Sequence, residues 1–231
     1  KYQTYNNLYD IMKHKNNWAG KNGPLLIAEV GGNHEGSYSY AKKLVKLAIK
    51  SGVDIVKLQL YTGSTLVSKI ESTDRFKHFK KFELTKNEHI SLAKMCRSHK
   101  VGYLASVWDL QMLDWIDKYL DYYKIGSGDL TAYPIIKEFA LRGKPIILST
   151  GLSDIYEINK TVKFIQDQNP KYKNKNNLAI LQCTSTYPTN DDEINLNCIE
   201  TLNNQTKMTI GYSDHSLGDL ALKAAFVKGA Q

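Results

Sequence analysis

Short apolar runs in this chain repeatedly end in a polar, reactive residue. The pattern occurs at Ala28-Glu29, at Val56-Lys57-Leu58-Gln59 and at Tyr123-Lys124-Ile125-Gly126-Ser127-Gly128-Asp129. It returns at Ile147-Leu148-Ser149-Thr150-Gly151, at Leu181-Gln182-Cys183-Thr184-Ser185-Thr186-Tyr187 and at Gly211-Tyr212-Ser213-Asp214-His215. The types are those of a reaction centre. A desolvated lysine at a strand end can be a Schiff-base nucleophile. A neutral imidazole such as His215 suits manganese or zinc. In an alternating β/α barrel every strand ends on one face, where catalysis is done. The expectation is that Glu29, Lys57, Gln59, Lys124, the hydroxyls, Asp214 and His215 reach one mouth.

The elements that must position them can be read from pattern. Apolar, β-branched runs bounded by Gly, Pro or Asn predict strands near Leu25–Val30, Val53–Leu60, Gly102–Ser106, Tyr122–Ile125, Pro145–Ser149, Leu178–Gln182 and Met208–Gly211. Helical stripes lie between them: Ala41, Leu44, Val45, Ala48 and Ile49; then Leu92, Ala93, Met95 and Cys96; then Ile155, Ile158, Val162 and Ile165. Ser153-Asp154 predicts an N-cap, Gly52 a helix stop, and Thr85 with Glu88 a capping box. The alternation predicts an α/β protein with a parallel sheet. Seven strands are one fewer than a closed barrel of this class has. The expected fold is a TIM-type (β/α)8 barrel with the eighth β/α unit missing; an open doubly wound sheet is the alternative. Residues 1–24 are expected to form an N-terminal extension, a lid on the bottom of the barrel, and residues 25–231 the barrel domain. The stretch Tyr61–Leu84 exceeds an ordinary βα loop and is a candidate functional loop.

Composition narrows the function. The apolar share of 42% and charged share of 23% are those of a soluble globular protein. No apolar run reaches the ~20 residues of a membrane span, and the polar start lacks the apolar core of a signal peptide. A cytoplasmic protein is expected. Cys96, Cys183 and Cys198 are odd in number and lack zinc-ligand spacing. The net charge of +8 comes mostly from Lys, spread over helix faces and loops such as 171–177; Arg75, Arg97 and Arg142 are the arginines. That reads as a solvated surface rather than a nucleic-acid stripe. A positive field also favours an anionic small-molecule substrate.

Taken in order, the segments Ile27-Ala28-Glu29-Val30-Gly31-Gly32-Asn33-His34-Glu35-Gly36, Val56–Gln59, Tyr123–Asp129, Ile147–Gly151, Gln182-Cys183-Thr184-Ser185-Thr186-Tyr187-Pro188 and Gly211–Ser216 resemble the motif series of the sialic acid synthase family. The resemblance runs from about Leu25 to the end of the sequence. It implies condensation of phosphoenolpyruvate with an N-acylated hexosamine, N-acetylmannosamine-like, to a nine-carbon 2-keto sugar acid with release of phosphate. It also implies a divalent cation, Mn2+ or Mg2+, and a homodimer in the full-length protein.

Through that resemblance, Lys57 and Lys124 become candidate cations for phosphoenolpyruvate, with Ser106, Ser127, Ser149 and Gly151 as donors. Glu29 is a candidate general acid/base; alternatively it is a buried partner of one of the lysines. Asp129 joins the candidate catalytic set. Gln59 is expected to bridge substrate and metal-bound water, and Ser185, Tyr187 and Ser213 to meet substrate. His215 is the expected metal ligand, with a loop histidine bonded to Asp214 as the alternative. Glu35 reads as a helix N-terminal charge. Asn33 and His34 either contact substrate or fix their loop, and Trp108 is mouth wall or core. His14, His78, His89 and His99 read as surface or helix residues. The rival readings are a deoxy-octulosonate-phosphate type synthase, a Schiff-base aldolase using Lys57 or Lys124, and a non-catalytic sugar-binding domain.

Overall fold

In the computed structural model, which describes residues 16–231, each predicted apolar run is a strand within two residues of its expected ends. His14 and most of the N-terminal extension lie outside the described residues. The described residues divide into two compact units: Leu26–Tyr123, and residues 16–25 together with Lys124–Gln231.

The unit Leu26–Tyr123 holds β1 (Ile27–Gly31), β2 (Ile55–Leu60) and β3 (Gly102–Val107), all parallel. Helix α1 (Tyr38–Lys50) joins β1 to β2; Ser37 caps it, and its Ala41 and Val45 are fully buried. Two helices, α2 (Gly63–Leu66) and α3 (Thr73–Phe82), occupy the stretch expected to be a loop. Helix α4 (Lys86–Ser98) opens with the Thr85/Glu88 capping box and buries Leu92, Ala93 and Cys96. After β3 comes α5 (Leu110–Ile116), capped by Asp109.

α2 and α3 leave no local pattern because their seat is made by bare glycine backbone, at Gly36 in the turn after β1 and at Gly63, the first residue of α2. A Cβ on Gly36 would lie 2.0 Å from the Lys81 carbonyl oxygen, and one on Gly63 would lie 2.5 Å from the Lys80 nitrogen. Bare glycine backbone is what lets α3 approach so closely. Glu83 completes the anchor, accepting the Gly63 N–H at 2.7 Å and pairing with Lys80 at 2.5 Å.

In the other unit, β4 (Tyr123–Ile125) leads into a 3-10 turn, Ser127–Asp129, and then α6 (Tyr133–Arg142). β5 (Ile146–Ser149), β6 (Leu178–Cys183) and β7 (Thr209–Ser213) run parallel in that order. Helix α7 (Ile155–Gln168) joins β5 to β6 and opens with an Asp154/Glu157 capping box; it buries Ile158, Val162 and Ile165, while Ile155 is 37% exposed. α8 (Cys198–Thr206) and α9 (Leu220–Val227) flank β7 in sequence. The described part of the extension is tied to the segment before β6: the buried Trp18 donates its indole N–H to the Lys175 carbonyl at 2.8 Å, and Asn17 donates two bonds to Asn176. No helix of the described residues is long and apolar enough to cross a membrane.

One single-residue reading changes and one is made finer. Glu35 is not a helix N-terminal charge: it sits two residues before the cap Ser37, at φ 53°. His78 is exposed on α3 and His99 caps α4, but His89 is fully buried on α4. Its ring supplies part of the helix's inner face, bonded to Tyr103 at 2.7 Å.

Candidate functional site

Each unit carries its own cluster of candidate residues at the strand ends. In Leu26–Tyr123, Glu29 and Lys57 are register partners across β1 and β2. Lys57 Nζ donates to Glu29 Oε2 at 2.5 Å; the lysine side chain is 8% exposed and the carboxylate side chain 49%. Gly31 shapes this pair. It has φ +55°, and a Cβ there would crowd Glu29 Oε1 at 3.2 Å, so glycine lets the carboxylate fold over the strand end. Two residues beyond Lys57, on the same face of β2, Gln59 stands opposite the buried Ser106 of β3. Trp108 is half-buried, its ring 5.6 Å from that of Tyr61. Burial and the nearby Glu83 push the Tyr61 phenol up to about 12.

The turn after β1 is held from inside. His34 is 2% exposed, and its Nδ1 accepts the Gly36 N–H at 3.1 Å. That is the loop-fixing alternative for this residue. Burial holds the imidazole below the usual histidine range, with Glu88 opposing. Burial, and then the charge of His34, push His89 down to about 4. His89 Nε2 is buried and has no hydrogen-bond partner.

In the other unit, Lys124 Nζ donates to Ser149 Oγ at 2.5 Å and to the Ile125 carbonyl at 3.0 Å. The Gly151 N–H reaches Ser127 Oγ at 3.1 Å and Cys183 Sγ at 3.2 Å, and those two atoms are themselves 3.1 Å apart. A Cβ on Gly151 would lie 2.4 Å from Ser185 Oγ and 3.0 Å from both Ser127 Oγ and Cys183 Sγ. Three small polar side chains therefore converge on one bare backbone position. Asp129 is half-buried at the end of the 3-10 turn, its Oδ2 folded back toward Gly126. Ser213 is half-buried and pairs in register with Cys183.

His215 Nδ1 lies 2.6 Å from the Thr184 carbonyl. A carbonyl only accepts, so Nδ1 carries the proton and Nε2 keeps its lone pair. Asp214, the alternative partner, has its Oδ1 engaged by Tyr212, Ser216 N and Ser216 Oγ at 3.2, 2.9 and 2.7 Å. Burial and then Asp214 raise the Tyr212 phenol above its ordinary value. The Tyr187 ring, 75% exposed, lies 4.0 Å from the imidazole. The bare nitrogen fits a divalent cation. Among the described residues, however, no group of three His, Cys, Asp or Glu side chains could close a shell around one.

The structure thus joins Glu29 with Lys57, Lys124 with Ser149, Ser127 with Gly151 and Ser185, and Tyr187 with His215. Cys183 and the Thr184 carbonyl were not singled out from sequence. The signal for Cys183 was strand alternation, which places it on the same face of β6 as Leu181 and at the strand's last position.

The chain is similar to known proteins along most of its length. The chain is 38% identical over 215 residues to an uncharacterized protein of Methanocaldococcus jannaschii, covering 92% of this chain and 62% of that protein. It is 33% identical over 221 residues to the N,N'-diacetyllegionaminic acid synthase of Legionella pneumophila, covering 89% and 61%. The chain therefore spans roughly three-fifths of the length of these relatives. Its fold matches the crystal structure of the N-acetylneuraminic acid (sialic acid) synthetase of Leptospira borgpetersenii with a TM-score of 0.81 at 28% identity, over 89% of this chain and 70% of that one. The NeuB family model matches residues 44–231, most of the strand–helix repeat and the strand ends described above except that of β1, and the chain belongs to the NeuB family.

Proposed function

We propose that this protein condenses phosphoenolpyruvate with an N-acylated hexosamine, giving a nine-carbon 2-keto sugar acid and inorganic phosphate. The observation that carries this reading is the donor cluster on β4, β5 and β6. One ammonium, Lys124, donates to the Ser149 hydroxyl, and two residues beyond Ser149 the hydroxyls of Ser127 and Ser185 converge on Gly151. Such a set suits a small, multiply charged anion, and fixed donors stabilise developing charge with little reorganisation. Family membership and the named activities of the relatives support the same chemistry.

The reaction balances as follows. Carbon 3 of phosphoenolpyruvate bonds to the aldehyde carbon of the open-chain sugar, whose oxygen takes a proton. Water adds at carbon 2 and loses a proton. The tetrahedral intermediate then breaks its C2–O bond and expels phosphate. The Glu29–Lys57 pair is a candidate proton carrier, with Lys57 keeping the carboxylate oriented. Lys124 and the hydroxyls hold the departing phosphate. A divalent cation, manganese or magnesium, held at His215 Nε2, would supply Lewis-acid polarisation of the aldehyde oxygen.

A Schiff-base aldolase is disfavoured by the same contacts. Lys57 is ion-paired and Lys124 donates to two oxygens, whereas a nucleophilic lysine needs a free lone pair.

The test is a phosphate-release assay with phosphoenolpyruvate against a panel of N-acyl hexosamines, with and without manganese. The expected result is phosphate in equimolar yield with a new 2-keto acid, only when both substrates are present. Binding without release, or borohydride trapping of a pyruvate adduct on lysine, would overturn the reading.

A further inference from the structure

The motif Asn33-His34-Glu35-Gly36 contains a buried base that the proposed chemistry does not use. His34 is 2% exposed, and its Nδ1 accepts the N–H of Gly36 at 3.1 Å. Its own carbonyl accepts the N–H of Ser37, the cap of α1, at 2.8 Å. The turn starts at Gly31 and Gly32, the residues against Glu29 Oε1 and Gln59 Oε1, and ends at Gly36, against the Lys81 carbonyl of α3. One imidazole is therefore bonded into a turn that touches the Glu29 strand end on one side and α3 on the other. α3 buries none of its own side chains, so its seat rests on such contacts.

We propose that His34 is a positioning residue. As the neutral imidazole it latches the Gly36 amide, holds the 31–37 turn and α3 in place, and so fixes the strand end that carries Glu29. The link to Glu29 rests on the function proposed above; the latch itself does not.

The chemistry is one-way. Nδ1 can accept from Gly36 only while it has a lone pair, and protonation turns it into a donor facing another donor. The groups facing His34 from α4 are Glu88, which favours the charged ring, and His89, which is itself pushed down to about 4 and bonded to Tyr103. Burial outweighs Glu88, so the latch is closed at neutral pH and opens on acidification. Asn in this place keeps an acceptor oxygen near the position of Nδ1 but does not titrate. Leu keeps bulk and removes the acceptor.

The test compares His34→Asn and His34→Leu with the parent by amide hydrogen exchange of α3 between pH 4.5 and 8, and by the pH profile of phosphate release. In the parent, α3 protection should fall on the acid side. In His34→Asn it should hold, and the acid limb of kcat/KM should move to lower pH with the plateau within about twofold of the parent. In His34→Leu protection should be low at every pH, with kcat/KM down about two- to tenfold, the equivalent of one lost hydrogen bond. Equal α3 protection in all three proteins, or one pH dependence shared by the parent and His34→Asn, would overturn the latch. Absence of phosphate release from the parent would count against the reaction, while the exchange data would still decide the latch.

Discussion

Glu29 and Lys57 stand opposite each other on parallel strands and close the gap with an ion pair of 2.5 Å, in which the lysine is buried and the carboxylate half exposed. The asymmetry has a consequence. Removing Glu29 strands a buried ammonium, whereas removing Lys57 leaves a carboxylate with access to water. Glu29→Ala should therefore destabilise the protein more than Lys57→Ala, by about 1–3 kcal/mol. Urea unfolding of the two variants checks it. Equal losses would mean that Lys57 is solvated or has another partner. Both variants should lower turnover by about a hundredfold or more if the pair moves protons.

Gly151 makes a steric prediction. Its substitution by Ala brings a methyl to 2.4 Å from Ser185 Oγ, in the space where the donors converge. Gly151→Ala should abolish measurable phosphoenolpyruvate binding in calorimetry while leaving the fold intact by circular dichroism. Adding Ser185→Ala relieves the closest contact and should recover part of the affinity, a non-additive pair. Binding by Gly151→Ala at parent strength would remove this cluster from the site.

His89 should set part of the stability on the acid side. Its folded value lies near 4, below the 6.5 of an unconstrained histidine. Between those two values the unfolded chain holds a proton that the folded one does not, so stability falls as pH drops from 6.5 towards 4 and levels off below. The contribution is about 3 kcal/mol. His34 acts in the same direction. In the double variant His89→Leu/Tyr103→Phe, which removes both partners of the buried bond, the unfolding free energy should vary less with pH over this range. An unchanged slope would show that His89 does not remain neutral when folded.

His215 should be found as the Nδ1–H tautomer, because the Thr184 carbonyl 2.6 Å away can only accept. Long-range proton–nitrogen correlation on the imidazole reads this directly. If Nε2 is the metal-binding atom, manganese should broaden its signals first, and His215→Gln should weaken manganese affinity by about tenfold or more. An Nε2–H tautomer without metal would contradict the assignment.

The strands and the helix caps were legible because their signals are local. Val56-Lys57-Leu58-Gln59 alternates within a few residues, and Thr85 meets Glu88 within one helical turn. The candidate residues at strand ends were legible for the same reason. What escaped depends on distant backbone. α2 and α3 rest on Gly36 and Gly63, whose missing side chains leave no pattern of their own. His89 read as a surface or helix residue; it lies on the helix, but it buries its ring against Tyr103, 14 positions on, a contact no local pattern marks. Cys183 looked like one more free cysteine, although Ser127 and Gly151, 56 and 32 positions away, both approach its sulfur.

The central claim is that Lys124 and the hydroxyls beside it hold an anion. The direct measurement is calorimetric binding of phosphoenolpyruvate to the parent, Lys124→Ala and Lys163→Ala. Lys163 is an exposed helix lysine paired with Asp167, a contact of little energetic weight. Lys124→Ala should weaken binding by about ten- to a hundredfold, the equivalent of about 1.5–3 kcal/mol for a charge-assisted contact, while Lys163→Ala should match the parent. Equal, small effects at the two positions would contradict the account.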